Sequence, residues 1–257
     1  MEIQINPDLQ ANEKIHILVT HDETTFHSSM SEMCARNSGW APDNEQPLQK
    51  KGQGRAIYIS DFICETIGRL QLSEEQKLSE IGNKIPHEAR ITMNPGKNND
   101  GWWTVEKLVE QIIQCAIPIF EATHPNAIGI FAFDNSTSHG AFAPDALVAS
   151  RMNVNPGGKQ PKMRNTIFNG QVQSMNFTDN YWDPALWGKL KGMKQVIEER
   201  QLMRPGLIGY CRNNESKDIQ CCMRHILENQ PDFLAQKGMI QEVIENRGHK
   251  HNKLAKF

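Results

Sequence analysis

The sequence predicts an α/β fold with a mixed sheet, flanking helices and a helical C-terminal extension. Two short runs, Ile15–Thr20 and Ile128–Phe133, have the β-branched and aromatic composition of buried strands. Between them, apolar residues recur at helical spacing from Val105 to Phe120. A helix that leads back to a strand beside the first is typical of a parallel pair, because parallel neighbours need a long crossover connection.

The opening third of the chain predicts an antiparallel meander. A polar loop and the turn signal Gly39–Pro42 follow the first strand, and Ala56–Ile63 is predicted as another strand. The intervening length leaves room for one more strand. Further along, Ser73 and Gln76 have the spacing of a capping box, which predicts the start of a helix.

Helices are predicted for much of the remaining chain. Thr104 is placed to cap the long helix, and Pro118 is expected to kink or shorten its last turn. Further helices are predicted over Ala185–Arg200, Cys221–Glu228 and Phe233–Asn246. The order of strands, helix and returning strand resembles an RNase H-like core, which we assign to residues 10–150. Residues 151–257 are predicted to be a loop-rich and then helical extension of the same domain.

The composition favours an intracellular protein. No apolar stretch approaches the roughly 20 residues that cross a bilayer, and the first residues lack the basic and apolar regions of a signal peptide. Six cysteines scattered over 257 residues give no disulfide framework. We therefore expect a nuclear or cytoplasmic location, no secretion and no membrane partner.

The overall charge argues against a protein that binds nucleic acid through its whole surface. The formal net charge is −2 and the isoelectric point is about 6.5. One stretch is locally basic and contains no acidic residue; its cations are Arg151, Lys159, Lys162 and Arg164. These residues are predicted to follow a DNA phosphate backbone, and a solvated loop is the alternative.

Two acidic motifs close the two buried runs. Asp22 follows the first run and Asp134 follows the second. If the strands are neighbours, both carboxylates lie at one sheet edge, where they repel each other unless a cation lies between them. Carboxylate oxygens suit Mg²⁺ (or Mn²⁺), which keeps water and phosphate oxygens in its remaining positions. The pair predicts phosphodiester chemistry; ordinary turn or cap aspartates are the alternative.

Two further residues beside these motifs are relevant to the site. Glu23 is adjacent to Asp22 and points to the opposite face of a strand, so only one of them can join Asp134. His139 is an accessory candidate that would orient a phosphate or move a proton. Its alternative is a structural histidine.

A loose set of metal-binding residue types lies near the end of the chain, and it comprises Cys211, Cys221, Cys222 and His225. Zinc sites usually use short paired spacings, and adjacent cysteines after a nine-residue gap depart from that pattern. The pattern is compatible with a zinc-stabilised interaction module. It fits better with Cys221 and Cys222 opening a helix, one side chain buried and the other not.

The chain resembles the DDE superfamily of transposases, and most of all its Tc1/mariner-like or pogo-like transposon-derived members. The resemblance extends over nearly the whole chain. The motifs that carry it are Val19–Thr24, Gly39–Pro42, Lys51–Gly54, Tyr58–Phe62, Pro95–Trp103, Phe133–His139 and Asn153–Lys159.

The resemblance implies a catalytic domain in which Asp22 is the first catalytic acid and Asp134 the second, both as metal ligands. It also implies two Mg²⁺ (or Mn²⁺) ions about 4 Å apart, DNA at transposon ends as the partner, and a chain that can form a homodimer. Its chemistry would be that of a DNA endonuclease and strand-transferase.

The third acid of the family lies on a helix after one more strand, whereas this sequence closes at Gly248–Phe257. The helix-turn-helix domain that such transposases usually carry has no counterpart before Asp22. We therefore expect a truncated remnant with little or no activity. A non-enzymatic, domesticated transposase fold that binds DNA or protein is the alternative.

Overall fold

The computed structural model describes residues 13–28, 54–211 and 219–254. The turn signal Gly39–Pro42, the additional strand expected before Ala56 and most of the Lys51–Gly54 motif lie outside these ranges. Within them, no helix combines the length and the apolar character that crossing a bilayer requires.

The described elements confirm a mixed α/β protein. The strands are β1 His16–His27, β2 Ala56–Cys64, β3 Gly68–Arg69, β4 Ile91–Met93, β5 Ile128–Phe133, β6 Thr166–Phe168, β7 Gln171–Gln173 and β8 Lys250–Lys253. The α-helices are α1 Glu74–Lys77, α2 Val105–Gln111, α3 Ile117–Thr123, α4 Met193–Glu199, α5 Met223–Glu228, α6 Pro231–Leu234 and α7 Met239–Asn246. A π-helical segment spans Ile112–Ala116, and two 3₁₀ turns span Ala149–Arg151 and Pro184–Leu186.

The chain divides into two compact units, at boundaries that differ from the predicted 10–150 and 151–257. The first unit contains the described residues up to Ala141 and from Met239 onward; the second is Phe142–Gly238. Helix α7 belongs to the first unit because Ile240 and Ile244 are fully buried in its core. Strand β8 belongs there because it pairs with β5.

The sheet of the first unit has the strand order β3-β2-β1-β5-β8, and β4 pairs separately with β2. Strand β2 is antiparallel to both β1 and β3, whereas β5 runs parallel to β1 and β8 parallel to β5. Strand β8 lies within residues 248–257. This is the region in which the resemblance leads us to expect one more strand.

Strand β1 is longer than predicted. Its buried residues alternate from Ile17 through Val19 to His21, as expected of a strand with one face in the core. Instead of ending at Thr20, the strand continues to His27. The extension is stabilised by pairing with β2, which runs from Val19 opposite Cys64 to His27 opposite Ala56.

The predicted long helix is interrupted by a π-helical segment. Thr104 occupies the cap position of α2, although its side chain makes no capping hydrogen bond there. Pro118 lies in the first turn of α3, directly after the π-helical segment. Proline has no N–H with which to continue the ordinary helical ladder, and this accounts for the break. The Ser73–Gln76 capping box of α1 is confirmed.

The second unit has a methionine-rich core beside a short hairpin. Buried side chains from α4, α5 and the loops form this core, among them Met152, Met163, Met175, Met193 and Met223. Strands β6 and β7 are joined by Asn169 and Gly170, both with positive φ. Asparagine and glycine tolerate that conformation, so a two-residue hairpin turn forms here.

Glycines shorten the helices predicted after residue 184. The expected helix Ala185–Arg200 forms only as a 3₁₀ turn and then as α4. Gly188 adopts a φ of +71° between them, a conformation that β-carbon-bearing residues rarely adopt. The expected helix Phe233–Asn246 is likewise divided, because α6 ends at Leu234 and α7 begins after Gly238.

An ion pair lies inside the second unit. The Arg200 guanidinium is fully buried and donates two hydrogen bonds to Asp232, of 2.9 and 2.6 Å. It also packs over the rings of Phe168 and Phe233, at 4.4 and 5.4 Å from the centroids. Burial alone would raise the pKa of Asp232, but hydrogen bonds from Arg200 and Thr166 lower it, so the carboxylate is charged.

Candidate functional site

Asp22 and Asp134 line the same cleft of the first unit. The parallel pairing of β1 with β5 ends at Thr20 opposite Ala132, and two further residues along each chain lead to Asp22 and Asp134. Both aspartates contribute to a cleft of about 680 Å³, which we call the carboxylate cleft. The two strands are therefore neighbours, as predicted, and both carboxylates line one cleft.

A third aspartate, Asp61 on β2, lines the carboxylate cleft as well. It lies directly opposite Asp22 in the antiparallel register of β1 and β2. Side chains at such positions extend from the same face of a sheet, with β-carbons about 5 Å apart. Aspartates from three adjacent chain segments therefore follow one another across the sheet.

The charges in the carboxylate cleft are unevenly compensated. Arg69 pairs with Asp61 at 3.2 Å and with Glu88 at 2.8 Å, and Arg90 pairs with Glu88 at 3.2 Å. Within the described ranges, no lysine or arginine forms an ion pair with Asp22. Its Oδ1 accepts only a short-range hydrogen bond from the N–H of Glu23, at 2.8 Å.

Asp134 is held by His139. One carboxylate oxygen, Oδ1, lies 2.6 Å from His139 Nδ1 and also accepts the backbone N–H of Ser136 at 3.1 Å. The His139 ring is buried, whereas the Asp134 side chain is 64% exposed. These contacts occupy Oδ1 and leave Oδ2 available to a ligand from the cleft.

The other face of β1 carries a second cleft, of about 620 Å³, which we call the aromatic cleft. It is lined in part by Glu23, Tyr58, Trp102, Trp103 and His139. The Trp103 indole N–H donates to Glu23 Oε1 at 2.8 Å. His139 Nε2 lies 3.6 Å from the same oxygen. His139 therefore joins the Glu23 carboxylate of one face to the Asp134 carboxylate of the other.

This arrangement fixes the charges of Glu23 and His139. Burial alone would raise the pKa of Glu23, but hydrogen bonds from His139, Tyr58 and Trp103 lower it to about 2. The hydrogen bond to Glu23 raises the pKa of His139, although burial opposes that change. Burial and the bond to Glu23 both raise the pKa of Tyr58. The His139 ring is therefore held between two carboxylates, which favour its protonated form.

His21 connects this group to the core. Its Nε2 hydrogen-bonds Ser60 Oγ at 2.8 Å, and the Ser60 hydroxyl donates to Gln111 Oε1 at 2.7 Å. The Gln111 amide then donates to the carbonyls of Ser60 and Ala89. His21, Glu23 and His139 also form a close group of possible metal ligands, within 4.8 Å of one another. The contacts of their nitrogens with Ser60, Glu23 and Asp134 account for that proximity without an ion.

The basic stretch predicted to contact DNA lies in the second unit. Lys159 and Lys162 are exposed. Arg164 pairs with Asp145 at 2.8 Å, and Arg151 donates to the carbonyl of Ala143 at 3.1 Å. Two of the four cations are therefore engaged locally, and Lys159 and Lys162 are the more accessible for a phosphate contact.

Comparison with protein-family models, with curated proteins and with solved structures finds no match for this chain. The sequence interpretation identified Asp22, Asp134 and His139, but it missed Asp61 and the role of Glu23. For Glu23, the available signal was the alternation of β1, which places Glu23 on the same face of the strand as the buried His21.

Acidification is expected to destabilise the first unit through His21. Burial lowers the pKa of His21 from 6.5 to about 4, although the charge of Glu23 opposes this. The unfolded chain then binds this proton more tightly, so the stabilisation is complete above about pH 6.5 and is lost as the pH falls towards 4. The free energy of unfolding should decrease by about 2 kcal/mol between pH 7 and pH 5 from this residue.

Urea unfolding at the two pH values measures the effect. His21→Gln, which keeps a hydrogen-bonding group beside Ser60, should remove this part of the pH dependence. His16→Gln, at an exposed position of the same strand, is the control. Equal acid sensitivity in the parent and in His21→Gln would show that His21 is not the group responsible.

Proposed function

We propose that the carboxylate cleft is a divalent-metal site for phosphodiester chemistry. The observation that carries this proposal is the succession of Asp134, Asp22 and Asp61 along one side of the sheet. Neighbouring carboxylates repel each other, and a bound cation offsets that cost. Their oxygens suit Mg²⁺ or Mn²⁺, which also accepts water and phosphate oxygens as ligands.

The surrounding fold supports a more specific class, a nuclease built on an RNase H-like core. Three antiparallel strands, a crossover helix and strands parallel to β1 agree with that core. Within this class, the motifs around Asp22 and Asp134 favour a DDE-type transposase domain, by descent a DNA endonuclease and strand-transferase. Its partner would be the DNA of transposon ends.

The residues of the cleft would have distinct roles in such a reaction. Asp22 and Asp134 would hold the metal, and His139 keeps Asp134 oriented through Oδ1. Arg69 and Arg90 line the same cleft and supply positive charge towards a phosphate. When bound, a pair of Mg²⁺ ions would activate the attacking hydroxyl and stabilise the leaving oxygen.

Asp61 bears on the expected lack of activity. That expectation depended on a site with only two carboxylates, and Asp61 supplies a third in the same cleft. Its partner Arg69 is 43% exposed, and exposed ion pairs contribute little free energy. A divalent cation would therefore compete with Arg69 for Asp61 at small cost.

Metal binding by the full chain tests this proposal. Mn²⁺ titration, followed by the electron paramagnetic resonance signal of free Mn²⁺, should show binding that weakens by about tenfold or more in Asp22→Asn and in Asp134→Asn. The control is Asp179→Asn, at an exposed position of the second unit. Unchanged Mn²⁺ affinity in both cleft variants, with folding intact, would refute the proposed site.

A second candidate function is DNA binding without cleavage. The ion pair between Asp61 and Arg69 favours it, because of the three cleft aspartates it leaves only Asp22 and Asp134 without an ion-paired arginine or lysine among the described residues. This candidate predicts that DNA affinity is independent of Mg²⁺. It also predicts that Lys159→Gln with Lys162→Gln weakens DNA binding and lowers its salt dependence.

A further inference from the structure

Four metal-ligating side chains converge at the start of α5 in the second unit. The ligand atoms of Cys211, Cys221, Cys222 and His225 all lie within 4.8 Å of one another. In a tetrahedral zinc site with Zn–S of about 2.3 Å and Zn–N of about 2.0 Å, ligand atoms are about 3.6 to 3.8 Å apart. The distance from Cys211 Sγ to His225 Nδ1 is 3.6 Å.

The local structure explains how unusual sequence spacing produces this cluster. Cys222 is the cap residue of α5, and His225 lies three residues later, on the same side of the first turn. Cys222 is fully buried and His225 is 8% exposed. Cys221 precedes the helix with its Sγ 2.9 Å from His225 Nδ1. The expectation that Cys221 and Cys222 open a helix, one buried and one partly exposed, is also confirmed.

We propose that Cys211, Cys221, Cys222 and His225 form a structural zinc site. Three thiolates and one imidazole are a ligand set that zinc uses in closed, four-coordinate sites. Such a site has no open position for a substrate, so its role would be to stabilise the fold. None of the described cysteines is in a disulfide, and packing alone does not require three thiols to surround one ring nitrogen.

The partners of the His225 imidazole indicate which of its nitrogens would bind the metal. Both cysteine contacts of His225 are to Nδ1, which identifies that nitrogen as the metal ligand. Its Nε2 lies 3.1 Å from the Arg224 guanidinium and 3.9 Å from Glu228 Oε2. On zinc binding, Nδ1 gives up its proton and Nε2 carries one, so Arg224 can no longer donate to Nε2, which then needs an acceptor. Glu228 is that acceptor, as carboxylates commonly are behind zinc-bound histidines.

Zinc at this position would connect separate parts of the second unit. Cys211 precedes residues 212–218 in the sequence, and the other three ligands follow them. The same helix contributes Met223, Ile226 and Leu227 to the buried core. The metal would therefore fix the chain on both sides of that segment to a helix that is part of the core. Its removal should destabilise the whole unit.

The experiment is elemental analysis of the purified full chain, followed by Zn²⁺ and Co²⁺ titration after chelation. We expect about one zinc ion per chain, and a Co²⁺ form with the visible absorption of a tetrahedral thiolate site. Cys211→Ser and Cys222→Ser should each lower the retained zinc by about tenfold or more. Cys115→Ser, in the first unit, is the matched control. Glu228→Gln should weaken zinc affinity by about tenfold while leaving the stoichiometry unchanged.

Thiol alkylation of the unsubstituted chain makes the test independent of variant folding. Zinc should protect Cys211, Cys221 and Cys222 from alkylation and leave the rate at Cys115 unchanged. A folded chain that neither retains nor rebinds zinc, and whose cluster thiols react equally with and without it, would overturn the proposal. Zinc retention unaffected by Cys211→Ser would overturn the four-ligand site.

Discussion

Asp22→Asn is expected to lower Mg²⁺-dependent nicking of supercoiled plasmid DNA by at least about a hundredfold. Changes in the residues behind a metal ligand commonly cost 10- to 100-fold in affinity or activity, and loss of a ligand itself should cost at least as much. Asparagine keeps the shape of the side chain and removes its charge. Asp22 lies at an exposed strand position, so the substitution should leave folding intact.

The same experiment includes variants that separate metal binding from positioning. Asp134→Asn should match Asp22→Asn, whereas His139→Gln should cost about tenfold because it acts through Asp134. Asp179→Asn, the same chemical change at an exposed site, should nick at the parent rate. If nicking persists in both cleft variants, it comes from another site. If the folded parent does not nick at all, the DNA-binding candidate is favoured.

Asp232→Asn is expected to destabilise the second unit by about 3 to 5 kcal/mol. Removing one partner of a buried ion pair leaves the other as an uncompensated charge in the protein interior. The Arg200 guanidinium is fully buried, and Asp232 receives two of its hydrogen bonds. The neutral amide accepts at one oxygen only and cannot balance the charge.

Urea unfolding, followed by hydrogen exchange of peptides from the second unit, measures this loss. Asp145→Asn breaks the more exposed pair with Arg164, in which Asp145 is 53% exposed, and should cost less than about 1 kcal/mol. Combining Asp232→Asn with Arg200→Met should recover part of the loss, because the orphaned charge is removed. If Asp232→Asn and Asp145→Asn lower the free energy of unfolding equally, burial does not increase the cost of breaking the Arg200 pair.

The presence of the main strands could be predicted from the local sequence pattern, whereas the length of β1 could not. The apolar runs from Ile15 and Ile128 identified β1 and β5, because alternation and β-branched residues specify a half-buried strand. The continuation of β1 to His27 depends on pairing with β2. That pairing is a tertiary contact, and the polar stretch from Asp22 onward gives little local sign of it.

The candidate site was only partly predictable for the same reason. Asp22 and Asp134 were recognisable because each follows an apolar run. Asp61 was not, since its place beside Asp22 requires the β1–β2 register. Glu23 was set aside as pointing away from Asp134, and it does lie on the other face of β1. The link between them is His139, whose ring reaches both carboxylates.

In the sequence, Phe142–Gly238 separates β5 from β8, which pair in one sheet, and this order has a consequence for biosynthesis. Strand β8 pairs with β5 in a register that joins Ile130 to Lys250, so β5 is synthesised long before its outer neighbour. At 5–20 residues per second, the delay is on the order of ten seconds. During that interval β5, which carries Phe131 and Phe133, lacks its outer neighbour β8, and unpaired strand edges promote aggregation. Chaperone demand on the nascent chain should therefore be greatest while the second unit is being translated.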